Sequence, residues 1–301
     1  MKLKLSIILP IYNGEKTLST TLNSLVKQSF QDFELIACID GTKDQSKEIL
    51  LSYQQKFKSL LILENEKNIG LGPTMNRLVA NSKGEYIAIA EQDDYYYENR
   101  LQLQIACLES DKSIGLVSGI AEFYNGKEIT MKFPGILVNG KQYPEGEQMF
   151  LLNYTKQIKV ANSCIMFRKT THINNGLYFT CHHPSISVDW TYILRFSLIS
   201  KIYGLPNVLV RLDRRGDRNS VTSNKTKQFR ASRELIRSFA YEFPDIISSD
   251  NYKYAMRTQY LMEMNNCLGI KFILISLINS IKYPMDNRFR ESLLNRLKKK
   301  F

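Results

Sequence analysis

Two neighbouring acids, Asp93 and Asp94, close an apolar run and are the pair best suited to chemistry. Like charges held side by side resist joint ionisation unless a cation neutralises them. Hard divalent ions take carboxylate oxygens together with the oxygens of a diphosphate, so the pair is expected to hold Mn²⁺ or Mg²⁺ against a nucleotide diphosphate. The alternative is a solvated turn in which Asp94 caps a helix beginning near Tyr97. A third acid, Asp40, ends an earlier apolar run and is followed by Gly41, Thr42 and Asp44. Its carboxylate suits hydrogen bonds from a base or ribose, with the glycine admitting close approach. Thr42 or Asp44 capping the next helix is the competing reading. His182 and His183 have no partner at metal-ligand spacing and are assigned to an acceptor loop.

These acids need a frame. Leu5 to Leu9, Glu34 to Ile39, Leu60 to Leu63 and Tyr86 to Ala90 are apolar runs bounded by turn residues, as buried strands are. Between them lie helical periodicities: Leu18, Leu22, Leu25 and Val26, then Ile49, Leu50, Tyr53 and Phe57, then Met75, Leu78 and Val79. Alternating strands and helices predict an α/β, mostly parallel sheet covered on both faces, with ligands at the carboxyl ends of the strands. Tyr12, Asn13, Asp40, Asp93 and Asp94 all follow strands. Further on, the pattern predicts a helix from Glu98 to Glu109, a strand at Gly115 to Phe123, a loop from Phe133 to Gly146 and a strand at Asn162 to Arg168. A helix from Val188, a strand at Asn207 to Leu212, and helices from Lys225 with breaks near Pro244 and Pro284 complete it.

Several ordered stretches carry a family resemblance: Ser6-Ile7-Ile8-Leu9-Pro10-Ile11-Tyr12-Asn13-Gly14, Ile39-Asp40-Gly41-Thr42-Lys43-Asp44, Asn68-Ile69-Gly70-Leu71-Gly72 with Asn76, Gly84-Glu85-Tyr86-Ile87-Ala88, Gln92-Asp93-Asp94, and Arg100-Leu101 with Gln104. Together they resemble the opening of the inverting family 2 glycosyltransferases with the GT-A fold, a Rossmann-like sheet flanked by helices. The resemblance implies that the main chain around Pro10, Tyr12 and Asn13 and the side chain of Asp40 hold a nucleotide base, most often uracil. It also puts Asn68, Gly72 and Asn76 in the donor site. Asp93 would face ribose and metal, and Asp94 would bind the metal that bridges the donor phosphates. The general base of this family opens a helix in the second half, a place matched by Asp189. Arg214, Arg215 and Arg218, with Arg211 upstream, fall where the family closes over the phosphates. The sequence departs from the family at Ile39 and Val188, where acids are usual, at Gln92, where the acid, serine, acid, acid run has serine, and in the arginine stretch, which lacks histidine.

The resemblance thins toward Thr222, which predicts a catalytic domain over 1–223 and a basic helical region over 224–301. The chain of 301 residues carries a net charge of +12, and residues 224–301 hold 15 Lys or Arg against 7 Asp or Glu. An anionic membrane surface or a merely solvated face accounts for this excess; nucleic acid is not expected, because no aromatic platforms interleave the charges. Five scattered cysteines do not read as a disulfide framework and suit a reducing cytoplasm. The opening apolar run is expected to be a first strand, not a signal peptide, and no transmembrane segment is expected. The sequence thus predicts sugar transfer from a nucleotide diphosphate sugar to a glycan or lipid-linked acceptor. A catalytically silent nucleotide-sugar-binding module is the alternative.

Overall fold

A computed structural model describes residues 3–134, 140–157, 160–182, 186–214 and 225–298. The chain divides into two compact units, Met1–Asn153 with Ile158–Val221, and Tyr154–Gln157 with Thr222–Phe301.

The first unit begins β1 (Leu5–Ile11), α1 (Leu18–Val26), β2 (Phe33–Asp40), α2 (Ser46–Ser52), β3 (Leu60–Asn65), α3 (Leu71–Asn81), β4 (Tyr86–Ile89). It continues β5 (Asp94–Tyr96), α4 (Arg100–Ser110), β6 (Ile114–Tyr124), β7 (Ile129–Phe133), α5 (Gly146–Lys156), β8 (Met166–Arg168), α6 (Lys169–Asn174), α7 (Val188–Ile199) and β9 (Lys201–Asp213). The strands form one sheet in the order β3-β2-β1-β4-β8-β6-β9-β5, with β7 paired to β6. Its first half, β3-β2-β1-β4, is parallel throughout. The second half is mixed: β8 runs antiparallel to β4 and β6, β9 parallel to β6, and β5 antiparallel to β9.

Parallel strands are buried on both faces, which is why β1 and β2 are apolar at nearly every position rather than alternating. One face packs Leu5, Ile7 and Leu9 against Leu18, Leu22 and Leu25 of α1 and Leu101, Ile105 and Leu108 of α4. The other packs Ile8, Ile36 and Cys38 against Met75, Leu78 and Val79 of α3 and Tyr192, Ile193 and Phe196 of α7. Helices thus cover both faces and leave the carboxyl ends of β1, β2 and β4 facing one mouth.

Several boundaries differ from the sequence expectation. The helix expected from Glu98 begins at Arg100 behind Asn99, and Asp94 opens a short strand instead of capping that helix. The strand expected from Asn162 starts with a single 3-10 turn, Asn162–Cys164, and only Met166–Arg168 is extended. Strand β9 starts at Lys201, six residues early, because its pairing with β6 carries it through Gly204 and Pro206. Helices α5 and α6 and strands β5 and β7 were not foreseen.

The second unit contains α8 (Lys225–Glu242), α9 (Ser249–Asn265), α10 (Gly269–Lys282) and α11 (Asn287–Lys298). Breaks fall at Pro244 and Pro284 as expected; a third, between α9 and α10, ends at Gly269 with φ of +58°. A small core of Met264, Phe272 and Phe289 joins α9, α10 and α11. All five cysteines are free thiols, and no helix among the described residues is long and apolar enough to cross a membrane.

Candidate active site

Past β1 the chain turns through Tyr12 and Asn13, the latter at φ +51°. This turn is tied to the acidic loop after β4 by one side chain: the Gln92 amide accepts from Tyr12 N–H at 2.8 Å and donates to Tyr12 C=O at 2.8 Å. It is tied to the loop after β2 by Thr42, whose hydroxyl accepts from Asn13 N–H at 2.9 Å. The main-chain N–H groups of Tyr12 and Asn13, expected to meet a base, are therefore already engaged within the protein. What the turn presents outward is the Tyr12 ring, about half exposed.

Asp40, at the end of β2, is buried. Its carboxylate accepts from Asn65 Nδ2 at 2.8 Å, Ile69 N–H at 2.9 Å and Gly70 N–H at 3.1 Å, so it fixes the turn that leads into α3. Three of roughly four lone-pair directions on a carboxylate are thereby occupied. Gly41 follows at φ +63°, and a Cβ there would collide with the main chain of Lys67 and Asn68. The two turns so pressed together border an open recess of about 440 Å³ lined by Gly41, Thr42, Lys43, Glu64, Asn65 and Glu66. Asp44 lies one residue before the N-cap of α2, Gln45; its carboxylate accepts from the Ser46 hydroxyl at 2.5 Å, the Thr42 hydroxyl at 2.7 Å, Glu15 N–H at 2.9 Å and Ser46 N–H at 3.1 Å, and these bonds hold it below the usual carboxylate range despite its burial.

Beyond β4, one carboxylate oxygen each from Glu91, Asp93 and Asp94 lies within 4.8 Å of the others, the one such acid cluster among the described residues. Asp94 is buried and accepts from the Ser163 hydroxyl; its main-chain carbonyl accepts from Thr21 Oγ1 at 2.8 Å. Glu91 accepts from Asn162 Nδ2 at 2.6 Å. Burial, and then the charge of Asp93, push the Glu91 carboxyl up to about 7; Asp189 adds to the rise, while Asn162 and Arg214 oppose it. An all-oxygen set with one ionisation held back by like charge fits a hard divalent cation.

Those same electrostatic couplings bring Asp189 and Arg214 to the cluster. Asp189 sits in the first turn of α7, after Ser187 at φ +55°, where the helix dipole favours an anion. Arg214 leaves β9 with its main-chain N–H on Tyr124 C=O at 2.7 Å and its guanidinium 4.8 Å from the Phe123 ring centroid. Arg215 and Arg218 lie outside the described residues, as does His183. Arg211 is held between the Tyr95 and Tyr124 rings, at 4.7 and 4.9 Å, rather than turned to the acids.

Two expected donor-binding residues have another task. The Asn76 amide donates to Phe179 C=O and accepts from Phe179 N–H, both at 2.8 Å, and a Cβ on Gly72 would strike Thr180 C=O. Both residues hold the 177–182 segment against α3. Asn68 is exposed on the turn that Asp40 organises, and Pro10 pairs with Cys38 in the sheet. Glu91, Asn162 and Ser163 were missed as members of the site; the one signal was a polar Asn-Ser pair interrupting the otherwise apolar run Val160 to Phe167.

A sheet that is parallel in its first half, with an acid cluster at the carboxyl ends of its strands, is the open α/β arrangement whose ligands lie at the strand-end mouth. The sequence profile described as "Glycosyl transferase family 2" matches residues 6–172. The chain belongs to glycosyl transferase family 2. It is 29% identical over 184 residues to the putative glycosyltransferase EpsE of Bacillus subtilis, covering 58% of this chain and 66% of EpsE, so it spans about two thirds of that relative's length. It is 26% identical over 236 residues to the UDP-Glc:alpha-D-GlcNAc-diphosphoundecaprenol beta-1,3-glucosyltransferase WfgD of Escherichia coli, covering 78% of this chain and 85% of WfgD. The crystal structure of S. aureus TarS 1-349 in complex with UDP-GlcNAc superposes with a TM-score of 0.67 at 20% identity, covering 96% of this chain and 79% of that one. The fold is GT-A.

Proposed function

We propose that the first unit is an inverting, metal-dependent glycosyltransferase. It takes one sugar from a UDP-linked donor and places it on a hydroxyl of a glycan or lipid-linked acceptor in cell-surface polysaccharide assembly. The observation that carries this is the cluster of Glu91, Asp93 and Asp94, with Asp189 and Arg214 close enough to shift Glu91. The acceptor class is supported by WfgD, whose name specifies a diphosphoundecaprenol-linked acceptor, and the donor nucleotide by the UDP-GlcNAc bound to TarS.

Mn²⁺ or Mg²⁺ would be held by Asp93 and Asp94 with Glu91, and when bound it supplies positive charge opposite the leaving diphosphate. The chain's own residues do the rest. The Tyr12 ring offers a stacking face for the base, and the Asp40-fixed turn forms the wall beside it. The Asp189 carboxylate removes the acceptor hydroxyl proton as that oxygen attacks the anomeric carbon from the face opposite the nucleotide. The bond from that carbon to the diphosphate oxygen breaks, leaving a nucleoside diphosphate and an inverted linkage. Arg214, with Arg215 and Arg218, contributes cationic donors to the departing phosphates.

Asp189→Asn keeps the shape and removes the base. It should bind UDP with Mn²⁺ as the parent does and lose transfer by at least a hundredfold. Transfer at the parental rate would remove Asp189 from the mechanism. No transfer by the intact chain from any nucleotide sugar would favour the silent binding module instead.

A further inference from the structure

Helix α10 has its faces reversed. Ile270 and Ile281 are 76% and 80% exposed, and Ile273, Leu274, Leu277 and Ile278 lie between 39% and 60%. The residues it buries are Phe272, Ser276 and Asn279, and the Ser276 hydroxyl turns back to donate to Phe272 C=O at 2.7 Å. At 3.6 residues per turn the six exposed aliphatics fall within an arc of about 140°. A helix facing water puts its polar residues on that side. Here the two polar residues face inward and six branched hydrocarbons face out, which is the arrangement of an interface.

Charge identifies what covers it. The 14 residues of α10 include Lys271 and Lys282 and no acid. By helical geometry both lysines flank the apolar arc on the same side, one near each end; the Lys282 ammonium lies 5.8 and 5.5 Å from the Tyr260 and Tyr283 ring centroids at the edge of the arc, and Lys271 can lay its stem along hydrocarbon and raise its ammonium toward anions. Of the seven acids of residues 224–301, Asp286 meets Arg257 and Arg288, Glu263 meets Arg233, Glu234 meets Arg230 and Asp250 meets Lys253, and none lies on α10. Lys271, Lys282, Arg290 and Lys298 form no ion pair among the described residues. On α11, Leu294 and Leu297 are also exposed beside Arg290 and Lys298. A second copy docked through α10 would bring lysines to lysines with no acid on either helix to meet them. Lipid phosphates answer both the charge and the hydrocarbon. At 14 residues the helix spans about 21 Å, short of the roughly 30 Å hydrocarbon layer, so it can lie in the interface but not cross it.

We propose that α10 lies flat on an anionic lipid surface, with Ile270, Leu274, Leu277, Ile278 and Ile281 among the acyl chains and Lys271 and Lys282 at the phosphates. This goes beyond the transfer chemistry and stands without it. The full chain is tested by co-sedimentation with phosphatidylcholine vesicles containing about a quarter phosphatidylglycerol, and with pure phosphatidylcholine vesicles. The parent should pellet with the anionic vesicles, and added salt should weaken its binding. Lys271→Gln with Lys282→Gln should weaken binding by about fivefold per lysine removed. Leu274→Glu with Ile278→Glu, both at exposed positions, should abolish it while the thermal shift on UDP and Mn²⁺ stays parental, which excludes misfolding. Failure of the parent to pellet, or unchanged pelleting of the Leu274→Glu, Ile278→Glu variant, would overturn the proposal. So would a dimer, by sedimentation velocity, that this variant dissolves while vesicle binding persists.

Discussion

The Glu91 carboxyl makes the acid cluster testable without any sugar. Its pKa stands at about 7 against an ordinary 4.5, so between those values the folded chain binds a proton that the unfolded chain has released. Stability of the metal-free protein should therefore fall as pH rises through this window and level off above it. At about 1.4 kcal/mol per pH unit, the ionised cluster costs about 3 kcal/mol, or roughly 6 to 12 °C in melting temperature for a unit of this size. His172, lowered to about 4 by its burial, acts with the opposite sign: stability is lost as pH falls from 6.5 toward 4. That contribution is common to parent and variant and cancels in their difference. Glu91→Gln imitates the protonated acid and can still accept from Asn162. It should melt with the parent near pH 5 and above it near pH 8. Mn²⁺ should stabilise the parent increasingly as pH rises, because a cation must displace the Glu91 proton, and should stabilise the variant less and almost independently of pH. Melting curves for both proteins, recorded across that range with and without Mn²⁺, decide the matter. Parallel curves at every pH would show that Glu91 carries no displaced proton and that the three acids do not act as one site.

Two further substitutions probe the frame. Gln92→Ala removes two 2.8 Å hydrogen bonds from the Tyr12 main chain; at about 1 kcal/mol each the melting temperature should fall by roughly 4 to 8 °C, and calorimetry should show weaker UDP binding. Gly41→Ala must accommodate a Cβ against the Lys67 and Asn68 main chain at φ +63°, so it should lower stability by about 1–3 kcal/mol by urea titration and weaken UDP binding as well.

How much of this was legible depends on how each element is stabilised. Strands β1 to β4 announce themselves because burial on two faces demands a continuous apolar run, and the intervening helices because one face must match the sheet. The later strands have no such signature. Strand β5 is three residues long, β7 is exposed along nearly its whole length, and β9 runs through Gly204 and Pro206, residues that local propensity excludes from strands but that pairing with β6 tolerates. The site divides in the same way. The Asp93-Asp94 pair is visible because two adjacent charges at a strand end are costly without a purpose. Asn162 and Ser163, about 70 residues further on, are hidden in what looks like the head of a strand. That the Asn76 amide ties down the Phe179 main chain, a hundred residues away, is hidden because side-chain type says nothing of which main chain an amide will meet.

The residue that makes the cluster intelligible was legible only as a motif match. Arg100 is buried beneath the acidic loop, donating to Ile89 C=O at 2.8 Å and to Gln104 Oε1 at 3.0 Å, with its guanidinium 4.5 Å from the Tyr96 ring centroid. Burial lowers its pKa, and the charge of Asp94 acts against that lowering. A buried carboxylate and a buried guanidinium are each costly alone and compensate one another when close. Arg100 puts positive charge on the Asp94 side of the cluster, while Arg214 opposes the rise of Glu91 and Asp189 adds to it. Without a cation the relief is a proton on Glu91, whose pKa is raised by burial and by the charge of Asp93. The proton and a metal ion would thus compete for the same deficit of positive charge, which Arg214 and Arg100 both reduce. If Arg100→Leu folds, that deficit grows by one. The Glu91 pKa, followed by carboxyl-carbon NMR, should then rise further, and a value unmoved by the substitution would show that Arg100 supports the loop by hydrogen bonding alone.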